Sequence, residues 1–170
     1  MRRPAICTLT TAAATGGFRL QHEDRDEWAL VRESLDLILN FAEATGQADY
    51  DPGIRQRGYL WLTTDPAMAA RQRALVAEQH AWGQTDIELL SGDEVRRRYP
   101  YVGAAVIQGR FRQGDGTFDQ KTLAVGLAAA SRVPIVAGCG VTGFRVAGGR
   151  LTGVATERGV VATDHAVLAA

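Results

Sequence analysis

Val133-Pro134-Ile135-Val136-Ala137, Gly140-Val141-Thr142-Gly143-Phe144-Arg145-Val146, Arg150-Leu151-Thr152-Gly153-Val154-Ala155-Thr156, Gly159-Val160-Val161-Ala162-Thr163 and His165-Ala166-Val167-Leu168-Ala169-Ala170 follow one another with little between them. These runs are rich in β-forming residues, and Ala147-Gly148-Gly149 and Arg158-Gly159 fit tight turns between them. Just upstream, Asp119 can cap a helix over Gln120–Ser131, where small residues such as Ala124, Gly126 and Ala128 surround Leu123 and Leu127. Such a helix can approach a sheet closely and suits a crossover in an α/β layer. A helix, a strand and a β-meander in that order set the expected fold class as α/β with some α+β character.

Working back toward the N-terminus, Asp24 with Glu27 three residues on marks a helix start. Trp28, Val31, Leu35, Ile38 and Ala42 then recur at helical spacing, and Gly46 supplies the stop. Gly58 to Thr63 alternates as a strand, with Tyr59, Trp61 and Thr63 on one face and Leu60 and Leu62 on the other. Asp65-Pro66 opens a second helix that runs to Gly83, and Ser91-Gly92-Asp93-Glu94 is a capping box for a short third one that closes before Tyr99-Pro100. Val102 to Phe111 reads as a further strand, turned by Gln113-Gly114-Asp115-Gly116. The first eleven residues have no clear period.

Composition narrows the class of partner. The 170 residues are 46% hydrophobic and 22% charged, ordinary for a globular protein, and 19 basic residues balance 19 acidic ones. That balance gives no general electrostatic case for nucleic acid or an anionic membrane. Arg96-Arg97-Arg98 fits the basic last turn of the short helix. No stretch is long enough for a membrane span, so a cytoplasmic location is the expectation. Cys7 and Cys139 read as reduced thiols, and His22, His80 and His165 as isolated residues, with His22 solvated; no metal site is expected.

The order and spacing of Gly16-Gly17-Phe18-Arg19, Gly58-Tyr59-Leu60-Trp61-Leu62, Ser91-Gly92-Asp93-Glu94, Tyr99-Pro100, Asp115-Gly116-Thr117-Phe118-Asp119 and Ala166-Val167-Leu168-Ala169-Ala170 resemble the FAD-dependent amine and amino-acid oxidoreductases. These are the glycine, sarcosine and D-amino-acid oxidase group. The resemblance implies part of a Rossmann-like FAD-binding domain, from residues 1–20 and 117–170, and a mixed or antiparallel-sheet substrate domain from residues 21–116. It also implies FAD as cofactor, a small amine or amino acid as substrate, and oxidation of a C–N bond by hydride transfer to the flavin.

Such enzymes open with a strand, a G-x-G-x-x-G turn and a ribose-binding acid, and that unit is missing here. Gly138-x-Gly140-x-x-Gly143 has the glycine spacing, but Phe144-Arg145-Val146 continues as strand where a phosphate site needs a helix N-terminus. The expected chain is thus an internal portion of such an enzyme. Its incomplete sheet leaves edges and apolar faces open to association.

By the same resemblance, Gly16, Gly17 and Arg19 lie beside the flavin. Val141 lies against the adenine, and Ala169-Ala170 begins the small-residue turn near the pyrophosphate. Tyr59 and Trp61 line the substrate cavity, and Arg19 is the one basic candidate for a substrate carboxylate, with no catalytic residue assignable. Two other readings stay open: a non-catalytic subunit or binding module derived from the same domain, and an inactive truncated gene product.

Overall fold

The computed structural model describes residues 5–169. Its elements, in chain order, are α1 (Thr10–Ala13), β1 (Gly17–Phe18), α2 (Arg25–Leu39), α3 (Phe41–Thr45), β2 (Tyr59–Thr63), α4 (Pro66–Ala81), β3 (Glu88–Ser91), α5 (Gly92–Arg98), β4 (Gln108–Arg112), β5 (Gly116–Thr117), α6 (Gln120–Ser131), β6 (Val141–Ala147), β7 (Arg150–Thr156) and β8 (Gly159–Val161). The class is α/β, with helices beside antiparallel sheets. Two compact units emerge, residues 15–123 and residues 1–14 with 124–170.

In the unit of residues 15–123, β4 is the centre of a three-stranded antiparallel sheet ordered β2-β4-β3. Register pairs Tyr59 with Arg112, Trp61 with Arg110 and Thr63 with Gln108. Side chains alternate across a strand, so Gly109 and Phe111 face away from Arg110 and Arg112. That second face packs on α5, where Leu90, Val95 and Phe111 form a buried cluster with Leu60, Tyr99, Val102 and Val106 against it. On the first face, α4 is tied down by Gln108, whose amide donates to the Ala69 carbonyl and to Gln72 Oε1, each at 3.0 Å. A second cluster of Phe18, Leu20, Trp28 and Leu35 seats α2 beside the two-stranded β1-β5 pair.

The helix ends follow the local chemistry of the sequence. Asp24 Oδ1 accepts from the amides of Asp26 and Glu27, Asp65 caps α4 ahead of Pro66, and Ser91 with Glu94 closes a reciprocal capping box on α5. Arg96, Arg97 and Arg98 fill the last turn of α5. The single helix expected from Asp24 to Gly46 is broken at Asn40, whose backbone leaves helical geometry at φ −102° and ψ 33° and whose side-chain amide shares the Asp36 carbonyl with its own N–H. Gly46 then ends α3 in the left-handed conformation.

Three strand expectations are corrected. Val102–Phe111 is strand only from Gln108, because Arg96 Nη1 donates to the carbonyls of Ala104 and Val106 and holds that stretch as a loop. Val133–Ala137 joins no strand ladder: Pro134 has no N–H to donate, and no strand runs alongside among the described residues. His165–Ala169 also lacks a ladder partner there, and Val167 and Leu168 stand 94% and 78% exposed. Conversely β3, which no sequence signal marked, exists because β4 offers it an edge.

In the other unit, β6, β7 and β8 form a consecutive antiparallel meander. Its hairpins turn at Gly148-Gly149 and before Gly159, all with positive φ. The ladder between β6 and β7 shifts register between Val141 and Gly143.

Candidate functional site

Gly17 and Phe18 pair with Thr117 and Gly116, and this short ladder delivers the next residues, Arg19 to Gln21, to the edge of β2. Two anchors hold them there. Gln21 Nε2 donates to the Tyr59 carbonyl at 2.9 Å and to Asp115 Oδ2 at 3.0 Å, while the Leu20 amide donates to Asp115 Oδ1 at 2.9 Å. Asp115 is fully buried and also accepts from Arg112 Nη1 at 2.6 Å. Burial opposes the Arg112 charge, but hydrogen bonds to Asp86 and Asp115 outweigh it and hold its pKa above the ordinary arginine value.

This anchoring places Arg19 over the aromatic face of β2. Tyr59 and Trp61, two residues apart on one side of the strand, have ring centroids 5.3 Å apart. The Arg19 guanidinium carbon lies 5.9 Å from the Tyr59 centroid and 5.6 Å from that of Trp61, within cation–π range. Across the ladder, Arg110 brings a second guanidinium to 5.7 Å from the same Trp61 ring.

Arg110 differs sharply from Arg19 in its surroundings. Arg19 is exposed, whereas Arg110 is 3% exposed, and its Nε and Nη1 find no hydrogen-bond partner among the described residues. Trp61 Nε1 is likewise unpaired. Burial pushes the Arg110 pKa below the ordinary arginine value; Glu23 and Asp115 oppose that shift and Arg19 adds to it. Glu23 is engaged by Arg71 at 2.6 Å and Asp115 by Arg112, so both carboxylates acting on Arg110 already have cationic partners.

Arg19, Tyr59 and Trp61, singled out from sequence, thus meet in one place. Gly16 and Gly17 lie in the same segment but in different settings. A Cβ on Gly16, which has φ of +68°, would collide with the Phe118 carbonyl oxygen, so the chain's own packing accounts for that glycine. At Gly17 a Cβ would meet only Thr15 Oγ1, at 3.9 Å, leaving room for a ligand to approach. His22 is partly buried rather than solvated, with Nδ1 3.2 Å from Glu27 and Nε2 3.1 Å from the Arg19 carbonyl.

Val141 and Ala169 belong to the other compact unit. Val141 lines a mostly apolar cleft of about 250 Å³ with Val136, Cys139, Thr156, Arg158 and Val160. Ala169 is exposed, and Ala170 lies outside the described residues. Among the described residues no group of three or more His, Cys, Asp or Glu side chains is placed to hold a metal ion, and no helix is long and apolar enough to cross a membrane.

Sequence reading passed over Arg110, and treated Asp115 as part of a turn and of a block resembling the family, with no role of its own. A charged residue in a strand normally signals a solvated face. The contrary signal, Trp61 directly opposite Arg110, needs the strand register, which is a non-local fact.

Comparison with known proteins gives this arrangement its context. The family model described as FAD dependent oxidoreductase matches residues 2–170. Glycine oxidase of Pseudomonas putida is 30% identical over 150 residues, covering 84% of this chain and 39% of that protein. Among solved structures, L-proline dehydrogenase from P. horikoshii matches with a TM-score of 0.84 at 22% identity, over 96% of this chain and 43% of that one. Glycine oxidase from Bacillus cereus gives 0.77 at 24% identity, over 96% and 45%. The chain therefore spans less than half the length of these relatives, and over the residues it does contain it belongs to the FAD dependent oxidoreductase family.

Proposed function

We propose that this chain forms part of an FAD-dependent oxidoreductase that oxidises the C–N bond of an amino acid or a secondary amine. The family match over residues 2–170 carries the reading, and the 30% identity to a glycine oxidase supports the amine-type substrate. FAD, when bound, supplies the hydride acceptor. The chain's own residues orient the substrate and keep water from it. Arg19 is an exposed cation with no carboxylate at salt-bridge distance among the described residues, suited to an anionic group of cofactor or substrate.

Residues 1–20 and 117–170 belong, in this reading, to the FAD-binding domain and residues 21–116 to the substrate domain. The division into units near Thr15 and Leu123 is compatible with it. Gly17 has space for the flavin side of the cofactor, and the apolar cleft beside Val141 suits the adenine. Ala169 and Ala170 are assigned to the pyrophosphate turn by resemblance. Tyr59 and Trp61 form one wall of the substrate cavity.

A second reading is a non-catalytic module derived from the same domain, which binds the ligand without the chemistry. Titrating FAD into the full-length protein of which these residues form part, while following flavin fluorescence, then adding glycine or N-methylglycine without oxygen, tests both. Saturable binding followed by bleaching of the flavin absorbance is expected. An amino-acid response with no flavin response favours the module, and silence toward both ligands sinks the two readings together.

A further inference from the structure

We propose that His22 is a proton-dependent clamp on the Arg19 segment: with both ring nitrogens protonated it ties the Arg19 carbonyl to Glu27, and on losing one proton it releases that carbonyl. That Arg19 borders a ligand site rests on the amine-oxidoreductase reading; the clamp itself stands on what surrounds the ring.

The His22 side chain is 11% exposed, and each of its nitrogens meets an acceptor. Nδ1 stands 3.2 Å from Glu27 Oε2, and Nε2 stands 3.1 Å from the Arg19 carbonyl oxygen. A neutral imidazole has one N–H and one lone pair, so it satisfies only one of these acceptors, whereas the imidazolium satisfies both. The rest of the segment is held without the ring. Asp115 accepts from the Leu20 amide and from Gln21 Nε2, the fully buried Gln79 donates from Nε2 to the His22 carbonyl at 2.6 Å, and the His22 amide donates to the Leu20 carbonyl at 3.0 Å. The ring is thus seated from α4 and Asp115, and it is the donor that reaches the Arg19 carbonyl.

The charged groups nearby set which proton stays. Glu27 lies in the first turn of α2 and touches Nδ1, and Asp24 caps the same helix. Glu23 is paired with Arg71 of α4 at 2.6 Å, Glu78 of α4 lines a small cleft with both, and the Arg19 guanidinium is turned over Tyr59 and Trp61. Of the two acceptors on the ring only Glu27 carries a charge, and a charge-assisted hydrogen bond is roughly twice as strong as a neutral one. The neutral ring therefore keeps its proton on Nδ1 and turns the Nε2 lone pair on the Arg19 carbonyl. Two acceptors then face each other, and the exposed Arg19 peptide turns to water. Histidine changes charge between about pH 5 and 8. Arg19 is accordingly fixed over the aromatic pair on the acid side of that range and loosened on the alkaline side, while Leu20 and Gln21 hold in both.

The test uses the full-length protein of which these residues form part, labelled with nitrogen-15 at histidine and with 5-fluorotryptophan. It needs neither flavin nor substrate, so its failure is separate from failure of the flavin titration. The His22 ring nitrogens, identified by their loss in H22Q, and the Trp61 fluorine signal, identified by its loss in W61F, are followed by NMR from about pH 5 to 9. Wild type is expected to show the imidazolium at the acid end, the Nδ1–H tautomer at the alkaline end, and a shift of the Trp61 signal with the same midpoint. H22Q keeps a donor at every pH and should leave Trp61 without a pH response. R19Q should abolish the Trp61 response while the His22 ring still titrates.

An Nε2–H tautomer at the alkaline end would keep the Arg19 carbonyl bonded throughout and overturn the release. A Trp61 signal that ignores the His22 titration, or that follows it unchanged in R19Q, overturns the link to Arg19 and leaves His22 a packing residue. Should H22Q fail to fold, H22N assigns the ring, and the wild-type and R19Q titrations decide the matter.

Discussion

Asp115 gathers three donors on one buried carboxylate: the Leu20 amide, Gln21 Nε2 and Arg112 Nη1. Because the partners come from the Arg19 segment and from the end of β4, it fixes where Arg19 stands relative to Tyr59 and Trp61. D115N keeps the shape but removes the charge and turns one acceptor into a donor facing donors. Breaking a nearly buried ion pair from one side should cost about 3 kcal/mol, read as a lower midpoint in urea with an unchanged slope. Loss of less than a few tenths would mean that Arg112 is adequately held by Asp86, its other partner at 2.8 Å.

At the scale of elements, α5 shows how local and non-local chemistry meet. Its capping box was legible from Ser91 and Glu94 alone, and the Glu94 carboxyl is held below the ordinary glutamate range by the Ser91 amide first and the Ser91 hydroxyl second. A lowered carboxylate pKa contributes stability that is complete above the unfolded-state value and lost as pH falls through the folded-state value. The Tm advantage of wild type over E94Q should therefore be full at neutral pH and vanish in acid; parallel curves across that range would refute the cap's electrostatic role. Gly109 carries the non-local part. A Cβ there would stand 2.8 Å from Val95 Cγ2 and 3.0 Å from Leu60 Cδ1, so the close seat of α5 on the sheet requires glycine. G109V should destabilise by about 2 kcal/mol through overpacking, measured by equilibrium unfolding, and a neutral result would show that the helix can lift off without loss.

For the whole molecule, the pairing of strands separates what is held from what is merely extended. Hydrogen–deuterium exchange should find the amides of β2, β3 and β4 and of the β6-β7-β8 meander protected, and those of residues 166–169 exchanging faster, since no ladder receives them among the described residues. Protection in that segment would reveal a partner strand. By itself the sequence determined the helix starts at Asp24, Asp65, Ser91 and Asp119, the meander hairpins at Gly148-Gly149 and Gly159, and the common face of Tyr59 and Trp61. Caps, turns and strand alternation are settled by residues within a few positions of one another, so those signals survive in one dimension. The tertiary structure alone decided that Val102–Ile107 is a loop closed by Arg96, that β3 forms, that two apolar runs join no strand ladder among the described residues, and that Arg110 lies buried opposite Trp61. Each depends on what a segment finds across the fold: a carbonyl reached by a distant guanidinium, a free strand edge, or an indole one register step away.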